Sequence, residues 1–269
     1  MTDSDKSKVV AAYSIKFKGD WNEIYENMIS KTPMTISEAN QFLSSLKCKY
    51  ITILDEGYPT DLKQTYHPPF CLFYYGDISL LTSPTERKLS VVGTRNPTEY
   101  GIKGTKSFVS ELAKDFIIVS GMAAGVDAIA HWTAIENKGK TIAVLGCGID
   151  YCYPSDNILL YNRLKKDYLI ISEYPNNIPP SPDKFPARNR IVAFLSIGTL
   201  ITEAYEKSGS SITATLAAAI GREVMCIPDV VSKKSCCNRL IKEGAMLVED
   251  PSDVEFQLRR YTEKISKKF

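Results

Sequence analysis

The sequence predicts an α/β fold: an extended, Rossmann-like, doubly wound and mostly parallel sheet over residues 89–248, with a small helical module before it. Three observations carry this. Strand, turn and helix patterns repeat five or six times in succession, as crossover connections require. The candidate strands, at 89–92, 116–119, 141–145, 169–171, 199–201, 223–227 and 246–248, are short continuous apolar runs, which suits strands covered by helices on both faces. Finally, the first three strands run into small-residue turns, Gly93-Thr94-Arg95, Ser120-Gly121-Met122-Ala123-Ala124-Gly125 and Gly146-Cys147-Gly148.

Taken in order, residues 1–60 read as the helical module. Apolar residues recur at helical spacing over 21–30 (Trp21, Ile24, Tyr25, Met28) and 36–46 (Ile36, Ala39, Phe42, Leu43, Leu46), with Lys31-Thr32-Pro33 as the break between them. A proline-bearing connector follows. Residues 61–87 form a lead-in whose run 70–75 is a strand closed by Gly76-Asp77, and residues 61–250 make up the main domain. Residues 251–269 read as a short, solvated basic helix or tail carrying Arg259, Arg260, Lys264, Lys267 and Lys268, with no winged-helix domain after it.

Composition narrows the class. A chain of 269 residues with 44% apolar content builds a packed globular core. It has no apolar run long enough to span a membrane and no apolar leader at its polar N-terminus, so a cytoplasmic location is expected. Seven cysteines without regular spacing argue against a disulfide scaffold, and none is matched at zinc-site spacing, so no metal is expected. With 33 basic and 31 acidic residues, any polyanion site has to be local.

Open α/β sheets bind ligands beyond the carboxyl ends of their strands, where glycine turns permit close approach and helix N-termini favour anions. Neither a G-x-x-x-x-G-K-[ST] loop nor a G-x-G-x-x-G fingerprint is present, which disfavours a P-loop NTPase and a dinucleotide-dependent dehydrogenase; no cofactor is expected. The strongest cationic feature is Lys184-Phe185-Pro186-Ala187-Arg188-Asn189-Arg190, where three cations surround an aromatic ring on which a base can stack. The alternative for this segment is a solvated loop entering an amphipathic helix. Asp127 and His131 stand four apart on one helix and can face each other. Glu203 can orient Arg188 or Arg190, and Ser208-Gly209-Ser210-Ser211 can cap a helix over 212–220 or offer its amides to an anion.

Six collinear blocks resemble the DNA-processing protein family DprA, also called Smf. They are Val92-Gly93-Thr94-Arg95, the segment from Ser120 to His131, Gly146-Cys147-Gly148-Ile149-Asp150 with Tyr153-Pro154, Ser172-Glu173-Tyr174-Pro175, Phe185-Pro186-Ala187-Arg188-Asn189-Arg190-Ile191, and Glu203-Ala204 with Ser208-Gly209-Ser210. The resemblance implies a non-enzymatic protein that binds single-stranded DNA, protects incoming strands during natural transformation, helps load the RecA recombinase and acts as a homodimer. It further implies that Arg95, Lys184, Arg188 and Arg190 contact phosphates, beside Asn189, and that Phe185 stacks on a base. Gly93, Thr94, Ser120, Gly121 and Gly125 would supply donors to the strand. Pro228-Asp229 and Ser235-Cys236-Cys237-Asn238 depart from the family pattern, and Asp229 adds a negative charge at a strand end. The rival readings are a sensor of free nucleotides and a nucleoside-monophosphate hydrolase using the Gly198 turn and Glu203. Against the second, Leu195-Ser196-Ile197 stands where such enzymes carry a doubled glycine.

Overall fold

The computed structural model describes residues 2–30, 32–205, 208–231 and 234–266, with the side chains of 86 and 264–266 excepted. Three helices open the chain, α1 (Asp3–Lys16), α2 (Trp21–Met28) and α3 (Ile36–Leu43), followed by strand β1 (Lys49–Thr52). The helical pattern at 21–30 and 36–46 is thus realised in shorter helices, and Lys31 of the expected break lies outside the described residues. Helix α1 and strand β1 were not expected. Thr2 and Asp5 form a reciprocal capping box at the start of α1, and the helix is then buried at seven positions from Ser7 to Ser14. A helix buried on nearly every side shows no amphipathic period for a sequence reading to find.

The lead-in consists of the short helix α4 (Thr60–Lys63), strand β2 (Cys71–Gly76) and the short helix α5 (Ser79–Thr82). The main alternation is then β3 (Lys88–Val92), α6 (Glu99–Leu112), β4 (Ile117–Ser120), α7 (Val126–Glu136), β5 (Thr141–Leu145), α8 (Ile158–Asp167), β6 (Leu169–Ser172), α9 (Lys184–Phe194), β7 (Gly198–Ile201), α10 (Gly209–Ala219), β8 (Glu223–Cys226), α11 (Cys236–Lys242), β9 (Met246–Leu247) and α12 (Pro251–Ser266). All strands join one sheet of order β1-β2-β6-β5-β4-β3-β7-β8-β9. From β6 to β9 every pairing is parallel, while β1 and β2 extend the sheet with antiparallel pairings, so part of the N-terminal 60 residues completes the sheet.

Each parallel strand sends alternate residues into opposite cores. In β3, Leu89 and Val91 enter the cluster under α6, α7 and α12, whereas Val92 enters the cluster under α9 and α10. Both faces are therefore apolar, as the unbroken runs predicted. The last helix differs from expectation: Val254 and Leu258 of α12 are buried against the second cluster, so it is a packed element rather than a solvated tail. Lys267 and Lys268, named with that tail, lie outside the described residues. All seven cysteines are free thiols. No helix among the described residues is long and apolar enough to cross a membrane.

The strand order has a functional consequence. From β3 the chain winds outward through β4, β5 and β6, and α9 then carries it back to β7 on the other side of β3. The connections leaving β3 and β7 therefore depart in opposite directions and leave a crevice between them, the position where open α/β sheets bind ligands.

Candidate functional site

A recess of about 600 Å³ lies at this switch point, lined by the turn after β3, the loop after β7 and the first turns of α9 and α10. The β3 turn is held from three sides. The Thr94 amide donates to the Glu203 carbonyl at 2.7 Å, the Val126 amide donates to the Thr94 carbonyl at 3.1 Å, and Ser210 Oγ donates to the Gly93 carbonyl at 2.7 Å. Gly125, with φ of 76°, allows the following helix to approach: a Cβ there would run into the Thr94 carbonyl and the Arg95 backbone. Arg95 is thereby carried on a fixed turn while its side chain stays exposed.

Above this turn three side chains form a stack. The Arg95 guanidinium lies 5.5 Å from the centroid of the Phe185 ring, and Tyr153 stacks on Phe185 with centroids 5.3 Å apart at 27°. Tyr153 is 41% exposed. Asn189 Nδ2 donates to the Gly209 carbonyl at 3.2 Å and ties the second turn of α9 to the start of α10. Around the stack, the N-termini of α7, α9 and α10 converge on the recess, and their positive dipole ends favour an anion.

Several predicted site residues serve the scaffold instead. The segment from Lys184 to Arg190 is not a loop but the first two turns of α9. Arg188 points inward: it is 6% exposed, and its Nη1 donates to the Gly121 carbonyl at 2.6 Å and to the Val144 carbonyl. Arg190 forms an ion pair with Glu173 at 2.5 Å and donates from Nε and Nη2 to the His67 carbonyl at 3.1 and 2.9 Å. Arg188 thus lines the recess with Nη1 committed to two carbonyls, and Arg190 is committed to Glu173 and His67. Lys184 Nζ binds Ser181 Oγ at 2.5 Å and sits 5.6 Å from the Tyr174 ring centroid.

The turn after β4 is similarly self-contained. Ser120 is fully buried and donates to the Val91 carbonyl at 2.6 Å. The Gly121 and Ala123 amides both donate to Asp127 Oδ2, at 3.1 and 3.4 Å, so the Gly121 amide expected to face a ligand is already used. Burial pushes the Asp127 carboxyl above its ordinary range, against the opposing pull of Arg188 and these amides. Asp127 and His131 do not pair with each other. His131 is fully buried, its Nδ1 bonds Thr141 Oγ1 at 2.6 Å, and burial with the nearby Arg188 charge lowers its pKa to about 3.

Glu203 does not orient Arg188 or Arg190. Its carboxylate accepts from the Thr98 amide at 2.8 Å and from Thr98 Oγ1 at 3.0 Å, at the start of α6. Helix α10 begins at Gly209, three residues before the expected start, and Ser208 is its N-cap without a side-chain cap bond. Asp229 is 8% exposed and folded back on its own loop, with Oδ1 accepting from Val230 and its backbone bonded both ways to the Asn238 side-chain amide. Among the described residues no three His, Cys, Asp or Glu side chains are grouped to hold a metal ion.

Sequence reasoning gave Tyr153 no role and left Glu173 without its partner. Tyr153 follows a strand end, which is a legible signal; the Glu173–Arg190 pair joins residues 17 apart through tertiary packing.

Comparisons with known proteins bear on this arrangement. A family profile described as DNA recombination-mediator protein A matches residues 49–259. The DNA processing protein DprA of Streptococcus pneumoniae is 41% identical over 221 residues, covering 81% of this chain and 77% of that protein. That of Bacillus subtilis is 39% identical over 207 residues, covering 76% and 69%. An X-ray structure of the Streptococcus pneumoniae protein superposes with a TM-score of 0.78 at 34% identity, over 94% of this chain and 97% of that one. A structure of DNA processing protein A from Helicobacter pylori, described for its unique single-stranded DNA binding mode, superposes with a TM-score of 0.69 at 32% identity, over 83% and 98%.

Proposed function

Because the chain belongs to the DNA recombination-mediator protein A family, we propose that the switch-point recess binds single-stranded DNA, in a protein that protects incoming strands and assists RecA loading as a homodimer. The observation that carries the reading is the stack of Arg95, Phe185 and Tyr153 at the mouth of three convergent helix N-termini. A guanidinium and helix-end amides suit a phosphate, and the exposed Tyr153 ring that ends the stack suits an unpaired base, so the recess fits a strand whose bases are not already stacked in a duplex. Lys184, at the edge of the same helix turn, adds positive charge beside the path. Gly93, Thr94, Gly209 and Ser210 form the backbone floor against which phosphates are held.

Catalysis has little support in the arrangement. A hydrolase of nucleoside monophosphates needs a carboxylate presented to the substrate, whereas the Glu203 carboxylate is 1% exposed and bonded to Thr98. The test is a gel-shift competition with a labelled single-stranded oligonucleotide. Unlabelled single strand is expected to displace the label at the lowest concentration, duplex at a far higher one, and nucleoside monophosphates not at all, with no free base released. Displacement by mononucleotide at the concentrations where the oligonucleotide works would favour the nucleotide-sensor reading instead.

A further inference from the structure

We propose that a strand held in the switch-point recess continues across the first turn of α9 and seats a further base on an aromatic ladder built from Tyr66, His67 and Trp21. This rests on the single-strand reading above and extends it to the surface contributed by the N-terminal helices. A second recess, of about 710 Å³, lies on the other side of α9, bounded by Trp21, Tyr66, His67 and the helix residues Lys184, Ala187 and Arg190. The two recesses share α9 as a common wall: Phe185 and Arg188 line the first, and their neighbours Lys184 and Ala187 line the second. Only the width of one helix, about 10 Å, separates them.

The ladder has the geometry of a base-stacking platform. Tyr66 and His67 stack with centroids 4.0 Å apart at 22°, and His67 stacks on Trp21 at 4.2 Å and 15°. Tyr66, the outermost ring, is 81% exposed and leaves one face to solvent. The platform is anchored rather than loose. Trp21 Nε1 donates to the Pro68 carbonyl at 2.9 Å, and Arg190 of α9 grips the His67 carbonyl with two bonds. His67 has φ of 54°, a conformation a non-glycine residue keeps only when its surroundings hold it. The same helix therefore carries Phe185 into the first recess and fixes the ladder in the second.

Charge on this side is balanced. Glu173 is paired with Arg190, Asp183 lies 3.9 Å from Lys184, and Asp20, which caps α2 by accepting from the Glu23 amide at 3.0 Å, is matched by Lys18 on the same wall. An aromatic surface with little net charge favours the ring of a base over the phosphate, which leaves the phosphate contacts to Arg95 and the helix ends.

The chain has two tryptophans, so Trp132→Phe leaves Trp21 as the sole indole reporter in the full-length protein. In this variant, a dye-labelled oligothymidylate of about 20 nucleotides, longer than the roughly 4–16 nucleotides of one single-strand binding site, and thymidine monophosphate are titrated while Trp21 emission and dye anisotropy are read. The 20-mer is expected to quench Trp21 and the mononucleotide not to. Tyr66→Ala is expected to weaken the 20-mer by about 5- to 100-fold, the range for losing one base stack. An unquenched Trp21 with bound 20-mer, equal 20-mer affinity in Tyr66→Ala, or quenching by the mononucleotide alone would each overturn the continuous path. Arg95→Ala separates the two readings. If it leaves 20-mer affinity and quenching intact, the first recess is misassigned; if it weakens the 20-mer while Tyr66→Ala changes nothing, only the ladder is.

Discussion

Replacing Arg188 is expected to unfold the protein more readily, not only to weaken a DNA contact, and the magnitude follows from its surroundings. The guanidinium is 6% exposed, donates to the carbonyls of Gly121 and Val144 from one nitrogen and to Asn189 Oδ1 from another, and faces the buried Asp127 carboxylate. Arg188→Ala leaves two buried carbonyls without their donor and an acidic group without its counter-charge, a change that costs about 3–5 kcal/mol when one partner of a buried pair is removed. For a chain of this size that corresponds to a fall in Tm of roughly 6–20 °C. Arg95→Ala, at an exposed position, should stay within about 0.5 kcal/mol of the parent. Urea denaturation followed by far-ultraviolet circular dichroism reads both. A double-mutant cycle with Asp127→Asn should show coupling, the double variant being less destabilised than the sum of the two single changes. Equal urea midpoints for Arg188→Ala and parent would refute the reasoning and return Arg188 to the role of a surface phosphate contact.

Other expectations follow from the same geometry. His131 is held neutral, its pKa lowered from 6.5 to about 3, so the unfolded chain binds the extra proton first. Its contribution to stability is full above pH 6.5 and falls by up to about 1.4 kcal/mol per pH unit as the pH drops toward 3. His131→Gln should flatten the midpoint-against-pH curve between pH 6.5 and 5, and an unchanged slope would show that other groups dominate. Phe185→Ala should weaken single-strand binding by about 5- to 100-fold at every sequence tested, since stacking tolerates any base; an effect on one sequence only would argue for base-specific readout. Gly125→Ala, at φ of 76° and against the Thr94 and Arg95 backbone, should lower both Tm and oligonucleotide affinity, because it displaces the turn that carries Arg95. A loss of affinity at unchanged Tm would show that the turn moves without strain.

The fold was legible because its signals are local. Apolar runs such as 141–145 and the glycine turns after them mark strand and turn without knowledge of neighbours, and the order of turns locates a ligand crevice. Helix α1 and strand β1 were not legible, since α1 is buried on nearly every side from Ser7 to Ser14 and β1 owes its existence to pairing with β2. At the site, the segments named from the sequence line one recess, while packing commits several of their side chains to other partners. Arg188, Arg190 and Arg95 look alike as residues, and only packing sends the first into the sheet ends, the second onto Glu173 and the third to the surface. Asp127 and His131 have helical spacing that allows contact, but stronger partners, the β4 turn amides and Thr141, take each of them.

The central claim is that Arg95 meets the phosphates of a single strand in the switch-point recess. The most direct measurement is the salt dependence of oligonucleotide affinity, by fluorescence anisotropy, for the parent and for Arg95→Ala. Each phosphate contact on a single strand contributes about 0.7 to the slope of log K against log salt concentration, so Arg95→Ala is expected to lower the affinity across all sequences and to reduce that slope by about 0.7. An identical slope and affinity in the two proteins, or a parent that binds duplex as tightly as single strand, would contradict the account.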